Sequence, residues 1–192
     1  LPHDAIAEAA ARHGLNLWIL RLSLDAYRFE RTIGVDGHYS KLVQATRGIA
    51  AGAGMATTEL RVLLASIMTE LRDRFPEVGR ALFVDDLTLD RTGYSAISMI
   101  RTLAAAVDHV IRRLEAGLRL QVSHTKSVML AGRNGLARYL TSALRTRKVR
   151  SVHFAKLLGT PSGGGRRRSV AASAARAVAF SLRMPRIRHL RA

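Results

Sequence analysis

The chain has 192 residues, with 31 Lys+Arg against 14 Asp+Glu, no cysteine, and 48% hydrophobic residues. That length suits one domain, and the missing cysteine excludes a disulfide-stapled module, a Cys-based zinc site and a thiol enzyme. The apolar content suffices for a core, and no apolar run reaches the ~18 residues of a membrane span. No secretory signal is read at the start. Leu1 stands where Met would open a chain, so further sequence upstream is expected.

Charge divides the chain. Residues 1–130 carry 16 basic and all 14 acidic residues, whereas residues 131–192 carry 15 basic and none acidic. Such a block attracts nucleic acid or an anionic membrane through electrostatics that carry no sequence information. Arginine enrichment from a GC-rich genome is the alternative. An Arg-rich tail also suits a nuclear signal, so a nuclear location is one expectation.

In chain order, residues 3–13 read as a helix with Ala5, Ile6, Ala9 and Ala10 on one side, stopped by Gly14. Leu17–Arg28 reads as a second helix. Arg31–Val35 and Tyr39–Thr46 read as paired strands around the Asp36-Gly37 turn signal. Gly48, Gly52 and Gly54 make a loop. Thr57–Phe75 is an amphipathic helix, capped by Thr57 or Thr58 and ended by Pro76. Arg80–Val84 and Leu87–Leu89 are strands around Asp85-Asp86. A helix over 95–117 is expected to bury Ile97, Ile100, Leu103, Val107, Ile111 and Leu114. Strands at 118–122 and 127–130, a helix over 134–145 and a strand-like stretch over 148–158 follow. Ser162–Gly165 reads as a hinge, and the Ala-rich stretch 169–182 as a basic helix. The seven histidines show no metal-ligand spacing and read as structure or surface, and Trp18, Tyr27 and Phe29 read as core.

Asp85 and Asp86 carry the most chemistry. Burying two adjacent carboxylates costs several kcal/mol without a compensating cation. At an exposed hairpin tip they repel each other, and a divalent cation relieves that repulsion. A solvated Asp-Asp turn is the plain alternative on spacing alone.

Phe83-Val-Asp-Asp86 resembles the aromatic-X-Asp-Asp motif of reverse transcriptases of the group II intron and non-LTR retrotransposon type. Other signals fall in that family's order. Val35-Asp-Gly37, Ser40 and Arg47-Gly48 resemble the finger-side hairpin leading into the template- and nucleotide-contacting loop. Gly48-Ile-Ala-Ala-Gly52 occupies the place of Gly-X-Pro-Gln-Gly, Lys126 that of the lysine after the palm helix, and Lys156-Leu-Leu-Gly159 that of the primer-gripping hairpin. The chain is also similar to the fragmentary transcriptase-like proteins of dinoflagellates.

The resemblance implies an α+β fold. A partial fingers/palm over 1–160, with antiparallel strands carrying the Asp-Asp hairpin and packed on helices, would precede a Gly hinge and basic tail over 161–192. It implies RNA-directed DNA polymerase ancestry, with an RNA template, a DNA primer and Mg²⁺ or Mn²⁺. Asp85 and Asp86 would ligate metal, Lys126 would sit near the pyrophosphate, and Arg47, Gly48 and Gly52 would face the incoming nucleotide.

Three departures stand against these matches. The family's Pro-Gln is Ala50-Ala51, whose methyls cannot replace an amide. The Ser-Pro that follows in the family is Ala56-Thr57. The first metal-binding Asp is expected just before residue 1, so two-metal geometry is incomplete in the chain as given and inactivity is expected. The alternative function is non-specific nucleic-acid binding without catalysis, through Arg145, Arg147, Lys148, Arg150, Lys156, Arg166, Arg167 and Arg168. A basic structural or partner-binding protein is the third reading.

Overall fold

The computed structural model describes residues 2–45, 47–50, 52–133, 135–146, 148–157, 160–163, 174, 177–182 and 184. They form a mixed α+β chain in two compact units. The first unit comprises residues 1–94 and 105–122, and the second residues 95–104 and 123–192.

The first unit is built on three helices, α1 (His3–Arg12), α2 (Leu17–Arg28) and α3 (Ala56–Arg74). Ile6, Ala9 and Ala10 recur at one-turn spacing on α1 and meet Leu20, Leu24 and Tyr27 of α2 and Leu63 of α3 in one apolar cluster. The alanines let the helices approach closely. Asn16 caps α2, its side chain accepting from the amides of Trp18 and Ile19. The expected threonine cap of α3 is absent. The helix starts after Met55 with no side-chain cap, and Thr57 and Thr58 lie inside its first turn. Trp18 and Phe29 are 76% and 67% exposed rather than in the core. Leu20, Leu24 and Tyr27 make the inward row of α2, and Trp18 lies about 200° round the helix from Leu20.

Two hairpins complete this part. Between β1 (Gly34–Val35) and β2 (His38–Tyr39), Asp36 and Gly37 both take positive φ, 48° and 80°, as a tight type I′ turn requires. The ladder is shorter than the sequence pattern suggests. The Ile33 carbonyl still accepts from Ser40 N–H at 2.9 Å, but Ile33 N–H donates to the Ser40 hydroxyl, 3.0 Å away, instead of to a main-chain carbonyl, and the next bridge is Arg31–Val43. β3 (Gly79–Phe83) and β4 (Asp86–Asp90) pair antiparallel over five residues.

Helix α4 (Ala96–Arg112) begins in the second unit and ends in the first. Its first turn is open, and Ile97, expected inside, is 69% exposed. Periodicity marks a side of a helix but not how far along it packing extends. A π-helical turn, Arg113–Gly117, follows. The expected strand at 118–122 does not form because its donors are used elsewhere. Leu120 N–H bonds the Leu114 carbonyl, and Val122 N–H bonds the Glu115 carboxylate.

The second unit pairs β5 (Val128–Met129) with β6 (Arg150–Ser151) in parallel, beside α5 (Leu136–Ala143), which buries Ala137 and Leu140. β7 (Phe154–Leu157) and β8 (Thr160–Gly163) form an antiparallel pair, and β8 takes in the first residues of the expected hinge. The described residues of the Ala-rich tail are helical.

One polar pair sits inside the apolar cluster. Glu59, in the first turn of α3, has no exposed surface, and its Oε2 accepts a 2.8 Å hydrogen bond from the Tyr27 hydroxyl. Its Oε1 has no partner. The positive end of the α3 dipole offsets part of the cost of a carboxyl there. Burial first, and the Glu59 bond second, push the Tyr27 hydroxyl up from 10.0 to about 12. Because the folded value lies above the unfolded one, this contribution to stability is complete below pH 10 and is lost as pH rises through about 12. Tyr27→Phe leaves both Glu59 oxygens unpaired, so it should lower unfolding free energy at pH 7 by about 1–3 kcal/mol and remove that alkaline loss. Tyr27→Phe/Glu59→Leu should recover most of the pH 7 loss. Urea melts at pH 7 and pH 11 measure both.

Candidate metal and nucleic-acid site

The β3–β4 hairpin closes at the Phe83–Asp86 pair, leaving Val84 and Asp85 as a two-residue turn. Val84 has φ 56°, while Asp85 keeps an ordinary negative φ. Positive φ at the first turn residue alone is the type II′ pattern, which normally places glycine there. A β-branched residue in this region is strained by at least about 1–2 kcal/mol. The strain is borne because the inner face of the hairpin holds the register. Leu82 opposes Leu87 and Arg80 opposes Leu89, all partly buried, and a one-residue slip would turn these four outward.

The result places Asp85 at the apex and Asp86 as the first residue of β4, both exposed. Neither carboxylate makes a hydrogen bond or ion pair among the described residues. Two unpaired, adjacent hard-oxygen donors suit Mg²⁺, which typically takes one or two carboxylates and fills its other positions with water and phosphate oxygens. Asp90 shares the outer face of β4 with Asp86, but at strand rise it lies about 13 Å along, too far to join them on one ion. Among the described residues no three ligating side chains gather around a point.

The glycine loop also belongs to the first unit. Gly48 and Gly52 take φ of 103° and 84°, and a Cβ on either would meet no atom within 4 Å. Glycine is needed there for the backbone angle, and the space beside it is open. The loop is anchored from below. Arg47, exposed, makes an antiparallel bridge with Pro2, and Ile49, Ala50 and Ala53 pack on the apolar cluster. Buried His3 lies 3.0 Å from the Gly48 carbonyl through Nε2, and its Nδ1 accepts from Arg28 Nε at 3.4 Å. These partners require a neutral imidazole with its proton on Nε2. Nothing in the sequence singled out His3, because its partner lies 45 residues away.

Lys126 is exposed on a turn in the second unit, where its amide bonds the Ser123 carbonyl. Arg145 and Arg150 are exposed there and Lys148 is partly buried. Arg147 and Arg166–Arg168 lie outside the described residues, and of Lys156 only the backbone, in β7, is described. The charge follows the two units. The first carries 14 basic and 14 acidic residues, and the second carries 17 basic and no acidic residue. The entire formal charge of +17 therefore belongs to the second unit.

No protein-family model, curated protein or solved structure matches this chain.

Val84→Gly should relieve the turn strain at the cost of a more flexible unfolded chain. A net gain of about 0.5–1 kcal/mol is expected, read as a higher urea midpoint with an unchanged slope. A lower midpoint would show that the valine side chain contributes more than its backbone costs.

Proposed function

We propose that this chain is part of a reverse-transcriptase-like nucleotidyl transferase, acting on a DNA primer paired to an RNA template. The observation that carries this reading is the strained Val84 turn, which presents two unpaired carboxylates, Asp85 and Asp86, to solvent. The motif order around Phe83–Asp86, the glycine loop and Lys126 supports it. A bound divalent cation would supply activation of the primer 3′-hydroxyl and stabilisation of the departing pyrophosphate. Asp85 and Asp86 hold and orient that ion. The open backbone at Gly48 and Gly52 accepts the nucleotide without side-chain interference, and His3 keeps the Gly48 carbonyl in place. Lys126 matches, in motif order alone, the family's lysine near the leaving phosphates.

Primer extension on an RNA template in Mg²⁺ tests this directly. Asp85→Ala should reduce extension by at least about 100-fold, the scale of losing an electrostatic anchor in the transition state, while leaving primer–template affinity within twofold. Extension that survives Asp85→Ala removes the polymerase reading.

The second reading is a nucleic-acid-binding module without catalysis, favoured by the confinement of all net charge to the second unit. Affinity for RNA should then fall steeply with salt. Each neutralised phosphate contributes about 0.7 to the slope of log K against log[salt] on a single strand. A slope near zero in a KCl titration overturns this reading.

A further inference from the structure

Helix α5 has its two sides assigned by packing. Ala137 and Leu140, with Leu144 just past its end, are buried, and the helix contacts β5 and β6. The opposite side carries Arg138, Tyr139 and Ser142, all exposed. Arg138 and Ser142 follow one another at i and i+4, and Tyr139 lies beside them, three residues before Ser142. The Tyr139 side is 70% open. The small hydroxyls between are tied to the helix backbone. Ser142 Oγ donates to the Tyr139 carbonyl at 2.8 Å, and Thr141 Oγ1 to the Arg138 carbonyl at 2.9 Å. What the helix presents outward is one aromatic ring and one guanidinium, Tyr139 and Arg138, beside Ser142 and Ala143. Arg133 and Arg150, both exposed, belong to the same unit.

This unit contains no Asp or Glu, so its net charge of +17 is not balanced within it. The complementary partner is a polyanion. An anionic membrane or a duplex would satisfy the charge, but a single ring beside guanidinium, Ser142 and Ala143 is little apolar surface to seat in a bilayer, and a duplex keeps its base faces stacked on one another. An unpaired base offers the ring a partner, and stacking on an aromatic side chain tolerates any base.

We infer that the outer face of α5 binds single-stranded nucleic acid, with Tyr139 stacking on one unpaired base and Arg138 contacting a neighbouring phosphate. This rests on the nucleic-acid reading above and adds to it a strand type and a contact residue. It is independent of the Asp85–Asp86 chemistry.

The test measures binding of the full chain to a 5′-labelled 12-nucleotide RNA, to the same sequence as a duplex, and to phosphatidylserine-containing vesicles, across a KCl series. Tyr139→Ala should weaken single-strand binding by about 5–100-fold, the range for loss of one stacked base, with the salt slope unchanged. Tyr139→Phe, which keeps the ring, should stay within twofold. Arg138→Gln should instead lower the single-strand salt slope by about 0.7. Duplex affinity should be insensitive to Tyr139→Ala. Circular dichroism checks that each variant keeps its helix. Single-strand binding unchanged by Tyr139→Ala, or an equal loss on duplex, overturns the inference while leaving nucleic-acid binding intact. Binding to vesicles alone, or to nothing, overturns both the inference and the reading beneath it.

Discussion

The hydrogen bond from Tyr27 to Glu59 is the constraint on which the first unit is arranged. It is made inside an apolar cluster, between the last turn of α2 and the first turn of α3. A buried carboxyl tolerates little displacement of its one donor, because any lengthening leaves a second oxygen unsatisfied in addition to Oε1. The pair therefore sets where α3 starts relative to α2. The Arg47–Gly54 loop enters α3 at that point. His3 works at the same level from α1, bonding Gly48 and accepting from Arg28 of α2. Two buried polar contacts thus define the floor beneath an open glycine backbone.

At the hairpin tip the logic is reversed. There an unfavourable backbone angle at Val84 is held by the packing of Leu82, Leu87 and Leu89. The strain is confined to one residue of the turn, while the five-residue ladder keeps its register and the carboxylates are exposed. Strained backbone tends to gather at functional positions, and here it adjoins the two carboxylates of the proposed site. Farther down the first unit, Glu70 ties α3 to the end of α4 by accepting from His109 at 3.0 Å and pairing with Arg113 at 2.9 Å. That contact stabilises the helical support without touching the carboxylates.

The two units differ in kind. The first has balanced charge and holds the Asp hairpin and glycine loop, whereas the second holds every excess positive charge. A balanced unit can bury polar contacts and hold a shape. An acid-free unit has no carboxylate of its own to balance its charge. The polymerase reading draws on the first unit and the binding reading on the second. They are compatible, since a template-directed enzyme needs both chemistry and a grip on phosphate.

Much was legible without coordinates. The helices at residues 3–12, 17–28 and 56–74, the Asp36-Gly37 turn and the Asp-Asp hairpin followed from apolar period and turn chemistry, which act over a few neighbouring residues. The charge asymmetry was plain from counting. Hidden from the sequence were the facts that depend on distant partners. Trp18 and Phe29 look like core residues, and only the choice of which side of α2 packs on α1 and α3 turns them outward. Residues 118–122 have the apolar character of a strand, but the end of α4 takes their donors first. Glu59 looks like a surface acid and lies at the centre of the core, and His3 finds its acceptor far along the chain. By itself the sequence determined the local elements and the sign of the charge, because both arise from short-range chemistry or from simple summation. Tertiary structure alone decided which polar groups are buried, which aromatics are open and which turn carries strain, because each depends on what folding brings beside it.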